Sequence, residues 1–226
     1  MSQGRVPGNG QSGRGPWTVI VPVKSSARAK SRIRLDPAMR RTLALIMAED
    51  TVSAAVGATP VGRVLVVLED SRDGAMLARV PRVELFVTDT DELNAAIRDG
   101  LAALGPEPGP VAVLPADLPS LTAAELTGAL DLAAAHPRSV VADRAGTGTT
   151  LLAARSADLL DPRYGAGSFA AHVAGGAVPL DVPARSGLRR DVDRVDNLRS
   201  VTGPRTRAVL KLLAWPAPVG PEFAGG

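Results

Sequence analysis

Short apolar runs rich in β-branched residues recur along this chain, with room for a helix between most of them. That alternation restricts the fold more than any other feature. The runs are WTVIVPV (17–23), RVLVVL (63–68), VELFV (83–87) and the start of VAVLPADLPSL (111–121), followed by shorter ones at 139–142 and 150–154. Each is short enough to read as a strand, and the run opening 111–121 as one buried on both faces. The intervening stretches carry helix-start chemistry. Asp36-Pro37 supplies an N-cap and a first-turn proline, and Thr122 with Glu125 forms a capping box. Helices are expected over 71–78, 90–104 and 122–135. Strands alternating with helices in this way make βαβ units, hence an α/β fold with a mainly parallel sheet flanked by helices. After Asp161 the pattern loosens. A Gly-rich turn at 164–168 leads to a helix near 169–174, a strand at 177–182 and helices at 194–202 and 205–213.

No repeat or linker divides the 226 residues, so one domain over 17–214 is expected. The Gly-, Ser-, Pro- and Arg-rich stretch 1–16 and the segment 215–226 read as a disordered and a frayed tail. Hydrophobic residues make up 45% of the chain, enough for a large core, but only 3% are aromatic, so that core is aliphatic. Few aromatics and a net charge of only +3 argue against a nucleic-acid partner. No apolar run approaches a membrane span, so the expectation is a soluble, cytoplasmic protein without a membrane partner. The absence of cysteine excludes disulfides and thiolate metal sites.

The chemistry-bearing residues gather at strand ends. Asp117 stands at the carboxyl end of the 111–114 run, where open parallel sheets bind ligands. There it either caps a turn or holds a divalent metal against phosphates. The next helix already has its own start signal at Thr122, which leaves Asp117 available for a metal. In Asp191-Val192-Asp193, an extended backbone turns both carboxylates to one side, towards one metal region. The alternative for Asp193 is to cap a helix beginning at Arg194. After the first strand, Lys24, Lys30 and Arg32 lie in a basic loop placed like a phosphate-binding turn; the other reading is a solvated charge cluster. Neither a P-loop nor a G-x-G-x-x-G motif is present. Gly146–Thr149 reads as a hairpin between strands. Ser168, after Gly165-Ala166-Gly167, is either the N-cap of the following helix or a hydroxyl binding a carboxylate or phosphate. His136 and His172 have no partner pattern for nucleophilic or metal chemistry and are expected at the surface or the core edge.

Six segments in order, VPVKSSARAKSRI, DELNAAI, LPADLPSL, VADRAGTGTTLL, DPRYGAGSFAAH and LRRDVDRVDNL, resemble the guanylyltransferases of deazaflavin coenzyme F-420 biosynthesis. The resemblance runs from about Thr18 to Thr206. It implies a single-domain, Rossmann-like nucleotidyltransferase fold, GTP as donor, and Mg2+ held by Asp117, Asp191 and Asp193. It also implies that Thr149, Gly165 and Ser168 contact a three-carbon phospho-acid. Lys24, Lys30 and Arg32 match the family's phosphate loop, Asn94 a position near the nucleotide, and Asp117, Asp191 and Lys24 the catalytic set. The acceptor is phosphoenolpyruvate or 2-phospho-L-lactate, and motif spacing does not separate the two. The Ala-, Arg-, Gly- and Pro-rich composition resembles the actinobacterial branch, which implies phosphoenolpyruvate. The product would pass to a downstream biosynthetic transferase. Another nucleotidyltransferase of similar fold is disfavoured by the lack of glycine in KSSARAKSR, and a non-catalytic nucleotide-binding protein by the three carboxylates.

Overall fold

The structure is a computed structural model that describes residues 16–24, 36–106 and 109–213. Both expected tails, apart from Pro16, and the loop carrying Lys30 and Arg32 lie outside the described residues. Among the described residues, seven strands form one sheet: β1 (Trp17–Val23), β2 (Val61–Leu68), β3 (Val83–Val87), β4 (Val111–Val113), β5 (Arg138–Ala142), β6 (Thr149–Ala154) and β7 (Val178–Pro179). Their order is β3-β2-β1-β4-β6-β5-β7. Only β6 runs against its neighbours, antiparallel to both β4 and β5. The expected mainly parallel sheet is therefore present, with one reversed strand near its middle.

The period-2 alternation of each strand divides the core between two faces. Val19, Val21, Val64, Val66, Ala112 and Leu114 pack on one side, with residues of α1 (Pro37–Gly57) and α4 (Ala123–Ala133). Ile20, Leu65, Val67, Val111 and Val113 pack on the other, with Ala96 and Ile97 of α3 (Leu93–Ala103). A third cluster joins Leu43 and Met47 of α1 to Val192, Leu198, Val201 and Leu210 from the C-terminal part. That part holds a one-turn α6 (Val195–Leu198) and α7 (Pro204–Leu212).

Capping chemistry sets the starts of α1, α3 and α4. Asp36 accepts the Ala38 N–H at 2.9 Å, with Pro37 following. The Thr122–Glu125 capping box is formed in both directions. Other bounds differ from expectation. The helix expected from Thr90 starts at Leu93, because Glu92 accepts the Asn94 and Ala95 N–H groups at 2.9 and 2.7 Å. Residues 71–77 are a 3₁₀ turn leading into one α turn, α2 (Gly74–Leu77). The expected strand at 177–182 shrinks to two residues, since Pro179 has no N–H to extend a ladder. The expected 194–202 helix is the single turn α6. Among the described residues, no helix is long and apolar enough to cross a membrane.

Candidate active site

The carboxyl edge of the sheet is built around the segment that leaves β4. Thr51, fully buried in α1, fastens it from below: its hydroxyl lies 3.2 Å from the Ala116 carbonyl and accepts the Leu118 N–H at 3.1 Å. Asp117, between these two anchors, is half-buried with its backbone fixed on both sides. The Val192 N–H donates to the Asp117 carbonyl at 3.0 Å, which brings the second acidic segment alongside the first. Val192 is buried in the third core cluster, so Asp191 and Asp193 flank an inward anchor. Arg189 braces the same segment from the other end, donating to the Ala142 and Asp143 carbonyls at 3.1 and 3.0 Å. Neither Thr51 nor Arg189 drew notice in the sequence. A helical threonine and one arginine among many carry no spacing signal.

The electrostatics match this convergence. Burial pushes the Asp191 carboxyl up to about 7, and the Asp117, Asp193 and Asp143 carboxylates add to the rise. Among the described residues, no three acidic or imidazole side chains form a ready-made metal cage. The donor set is one of hard oxygens at close quarters, suited to a divalent cation that completes its shell with water and phosphate oxygens. Asp193 does not cap α6, contrary to one of the two readings. Arg194 holds the cap position, and the Asn197 carboxamide accepts the Asp193 and Arg194 N–H groups at 3.2 and 2.8 Å.

Two hollows open beside these acids and share Asp193. One, about 300 Å³, is lined by Lys24, Leu93, Ala116, Asp117 and Tyr164. The other, about 470 Å³, is lined by Asp143, Arg144, Arg190, Asp191 and Arg194. Lys24 is thus the one member of the expected phosphate loop described here, and it faces the same space as Asp117. Arg41, in the first turns of α1, is engaged elsewhere, its Nε donating to Asp73 at 2.7 Å.

Because β6 runs antiparallel to β4, its first residue, Thr149, lies at the edge where β4 ends. Gly146–Thr149 closes a β5–β6 hairpin, with the Asp143 N–H donating to Gly148 at 3.0 Å. Ser168 does not cap α5 (Ser168–Ala174), again against one of the two readings. Gly167 takes the cap position at φ 71°, a left-handed conformation suited to glycine, and supplies no side-chain acceptor. The Ser168 hydroxyl instead points inward and donates to Thr149 Oγ1 at 3.2 Å, while the Ser168 N–H donates to Gly165 O at 3.2 Å. Thr149, Gly165 and Ser168 therefore come together, the two hydroxyl residues buried and Gly165 exposed. The Asn94 carboxamide clamps the adjoining loop, accepting the Tyr164 N–H at 2.7 Å and donating to the Tyr164 carbonyl at 3.0 Å. His172, expected at the surface or the core edge, is 2% exposed and hydrogen-bonded through both ring nitrogens.

Residues 17–177 match the family model described as "Guanylyl transferase CofC like". The chain belongs to this family. Among its relatives is a phosphoenolpyruvate guanylyltransferase from Streptomyces scabiei, 46% identical over 88% of this chain and 98% of its own. Another so named, from Streptomyces coelicolor, is 45% identical over 85% of this chain and 95% of its own. Among solved structures, a putative nucleotide-diphospho-sugar transferase from Desulfovibrio desulfuricans superposes with a TM-score of 0.63 at 13% identity, over 88% of this chain and 96% of that one. A Mycobacterium tuberculosis protein solved as a manganese complex gives 0.52 at 19% identity, over 84% and 98%. These structural likenesses fix the CofC-like chain as having the nucleotidyltransferase fold.

Proposed function

We propose that this member of the CofC-like family transfers GMP from GTP to phosphoenolpyruvate, using Mg2+ held by Asp117, Asp191 and Asp193. The observation that carries the reading is the Val192–Asp117 hydrogen bond, which draws two acidic segments together at the carboxyl edge beside Lys24. The names of the relatives supply the nucleotide and the acceptor. Asp191, destabilised as a carboxylate by burial and by its acidic neighbours, is the group most relieved by a cation. When bound, the metal neutralises phosphate charge and makes the α-phosphorus more electrophilic.

An acceptor phosphate oxygen forms the new P–O bond at the α-phosphorus, and the bond to the β-phosphate oxygen breaks to release pyrophosphate. The acceptor phosphate is already ionised at neutral pH, so no protein base is needed. The chain contributes position and charge. Lys24 faces the triphosphate, joined by Lys30 and Arg32 from the same loop. Thr149, Gly165 and Ser168 hold the phospho-acid, and Asn94 keeps the loop between acceptor and nucleotide in place. The product, a guanosine diphosphate diester of enolpyruvate, leaves for a downstream biosynthetic transferase in the cytoplasm.

The test incubates the protein with magnesium, GTP and either phosphoenolpyruvate or 2-phospho-L-lactate, and identifies products by mass. Pyrophosphate and the enolpyruvyl product are expected, with turnover abolished by chelator and restored by Mg2+. Asp117→Ala and Asp191→Ala should each cost roughly 3–4 kcal/mol of transition-state stabilisation, in line with removal of an electrostatic partner. Turnover in excess chelator would refute the metal assignment. A product from phospholactate alone would replace the acceptor and leave the reaction type intact.

A further inference from the structure

His172 sits behind the hydroxyl pair, and nothing in the proposed chemistry uses it. Its Nε2 lies 2.9 Å from the backbone nitrogen of Arg163. A backbone N–H is a fixed donor, so Nε2 is the acceptor and the neutral ring carries its proton on Nδ1. That nitrogen lies 2.9 Å from Thr149 Oγ1. The Thr149 oxygen then accepts twice, from His172 Nδ1–H and from Ser168 Oγ–H at 3.2 Å. Both lone pairs are used, and the Thr149 hydroxyl is left as a donor only. A hydroxyl with free lone pairs turns either way, whereas this one has a single function left, donation, which suits an anionic oxygen.

Resting on the reading that Thr149 and Ser168 hold the phospho-acid, we infer that His172 is a positioning residue for the acceptor, holding the Thr149 hydroxyl as a donor towards a carboxylate or phosphate oxygen. The ring has a second, separable task. Through Arg163 it anchors the loop whose next residue, Tyr164, lines the cleft beside Asp117 and packs edge-on against the imidazole at 5.2 Å.

The two nitrogens can be tested apart. Asparagine reproduces the Nδ1 donor and glutamine the Nε2 acceptor, so His172→Gln keeps the loop anchor and drops the bond to Thr149, and His172→Asn does the reverse. Steady-state kinetics of both variants, varying phosphoenolpyruvate and GTP separately, are read beside thermal melts. His172→Gln should raise the KM for phosphoenolpyruvate roughly tenfold, the equivalent of one hydrogen bond, with the KM for GTP little changed. His172→Asn should raise the acceptor KM less than His172→Gln does and lower the melting temperature more. In a Thr149→Val background, His172→Gln should add no further loss, because both changes remove the same interaction. An unchanged acceptor KM in His172→Gln, equal rises for both substrates, full additivity with Thr149→Val, or failure of both variants to fold would each overturn the inference. A wild-type protein inactive with GTP and phosphoenolpyruvate would instead overturn the proposed function, and this inference with it.

Discussion

Asp117 owes its place to a hydroxyl far away in sequence. Thr51 Oγ1 meets the chain on both sides of the carboxylate, across separations of 65 and 67 residues. Thr51→Val keeps the shape and leaves the buried Leu118 N–H without an acceptor, which should cost about 1–3 kcal/mol of stability. Turnover should fall by more than the melt alone explains, because the released segment carries the acid; urea titrations beside single-turnover rates check this. A second residue-scale effect depends on pH. Burial holds His172 down at about 4; the Asp161 carboxylate opposes that shift, the Arg163 guanidinium adds to it, and the uncharged Tyr164 ring covers one edge. Its folded pKa lies below the unfolded value, so its stabilising contribution is complete above about pH 6.5 and is lost as pH falls towards 4. Between pH 7 and 4, wild type should lose about 3 kcal/mol relative to His172→Gln, measured by urea midpoints at each pH.

Among the elements, short apolar runs rich in β-branched residues and helices that carry their own caps were legible in advance. β1 and β3 fall on their expected residues, and the starts of α1 and α4 follow from Asp36 and Thr122. The reversed direction of β6 was not stated by the pattern, because a buried strand reads the same in either direction. The caps of α5 and α6 were left open by the pattern, because a serine or aspartate near a helix start is a cap only if the backbone turns it inward. At the candidate site, Asp117, Asp191 and Asp193 were legible as residues, the first after an apolar strand run and the other two alternating in one extended segment. Their fastening by Thr51, Arg189 and Val192 was not, since it rests on contacts between distant segments. One element-scale contact leaves no room for a side chain. A Cβ at Gly187 would lie 2.0 Å from the Ser120 carbonyl oxygen, where the 187–193 segment crosses the loop after Asp117. Gly187→Ala should push that segment off, at a cost of at least about 1–3 kcal/mol, and turnover should fall with the displacement of Asp191. A crystal structure and a melt of the variant would show both.

Across the whole molecule, α7 is the clasp. Asp50 in α1, 5% exposed, accepts the Thr206 N–H and hydroxyl, both at 2.8 Å, and so caps a helix whose own Gly203 supplies no side-chain bond. Asp50→Ala should cost roughly 2–4 kcal/mol by leaving these donors without an acceptor and Arg205 with its Glu49 pair alone, with hydrogen exchange rising first in 187–213. Exchange rising evenly over the sheet would contradict this. The Asp50–Thr206 bond closes a separation of 156 residues. Such a closure comes late in folding, after the local βα units have formed, because chain entropy opposes it until the rest is in place. The reverse order holds on warming. The C-terminal wrap should open before the sheet melts and take Asp191 and Asp193 with it. Turnover should then fall at a lower temperature than the far-UV signal of the sheet and return on cooling, which an activity assay read beside circular dichroism checks.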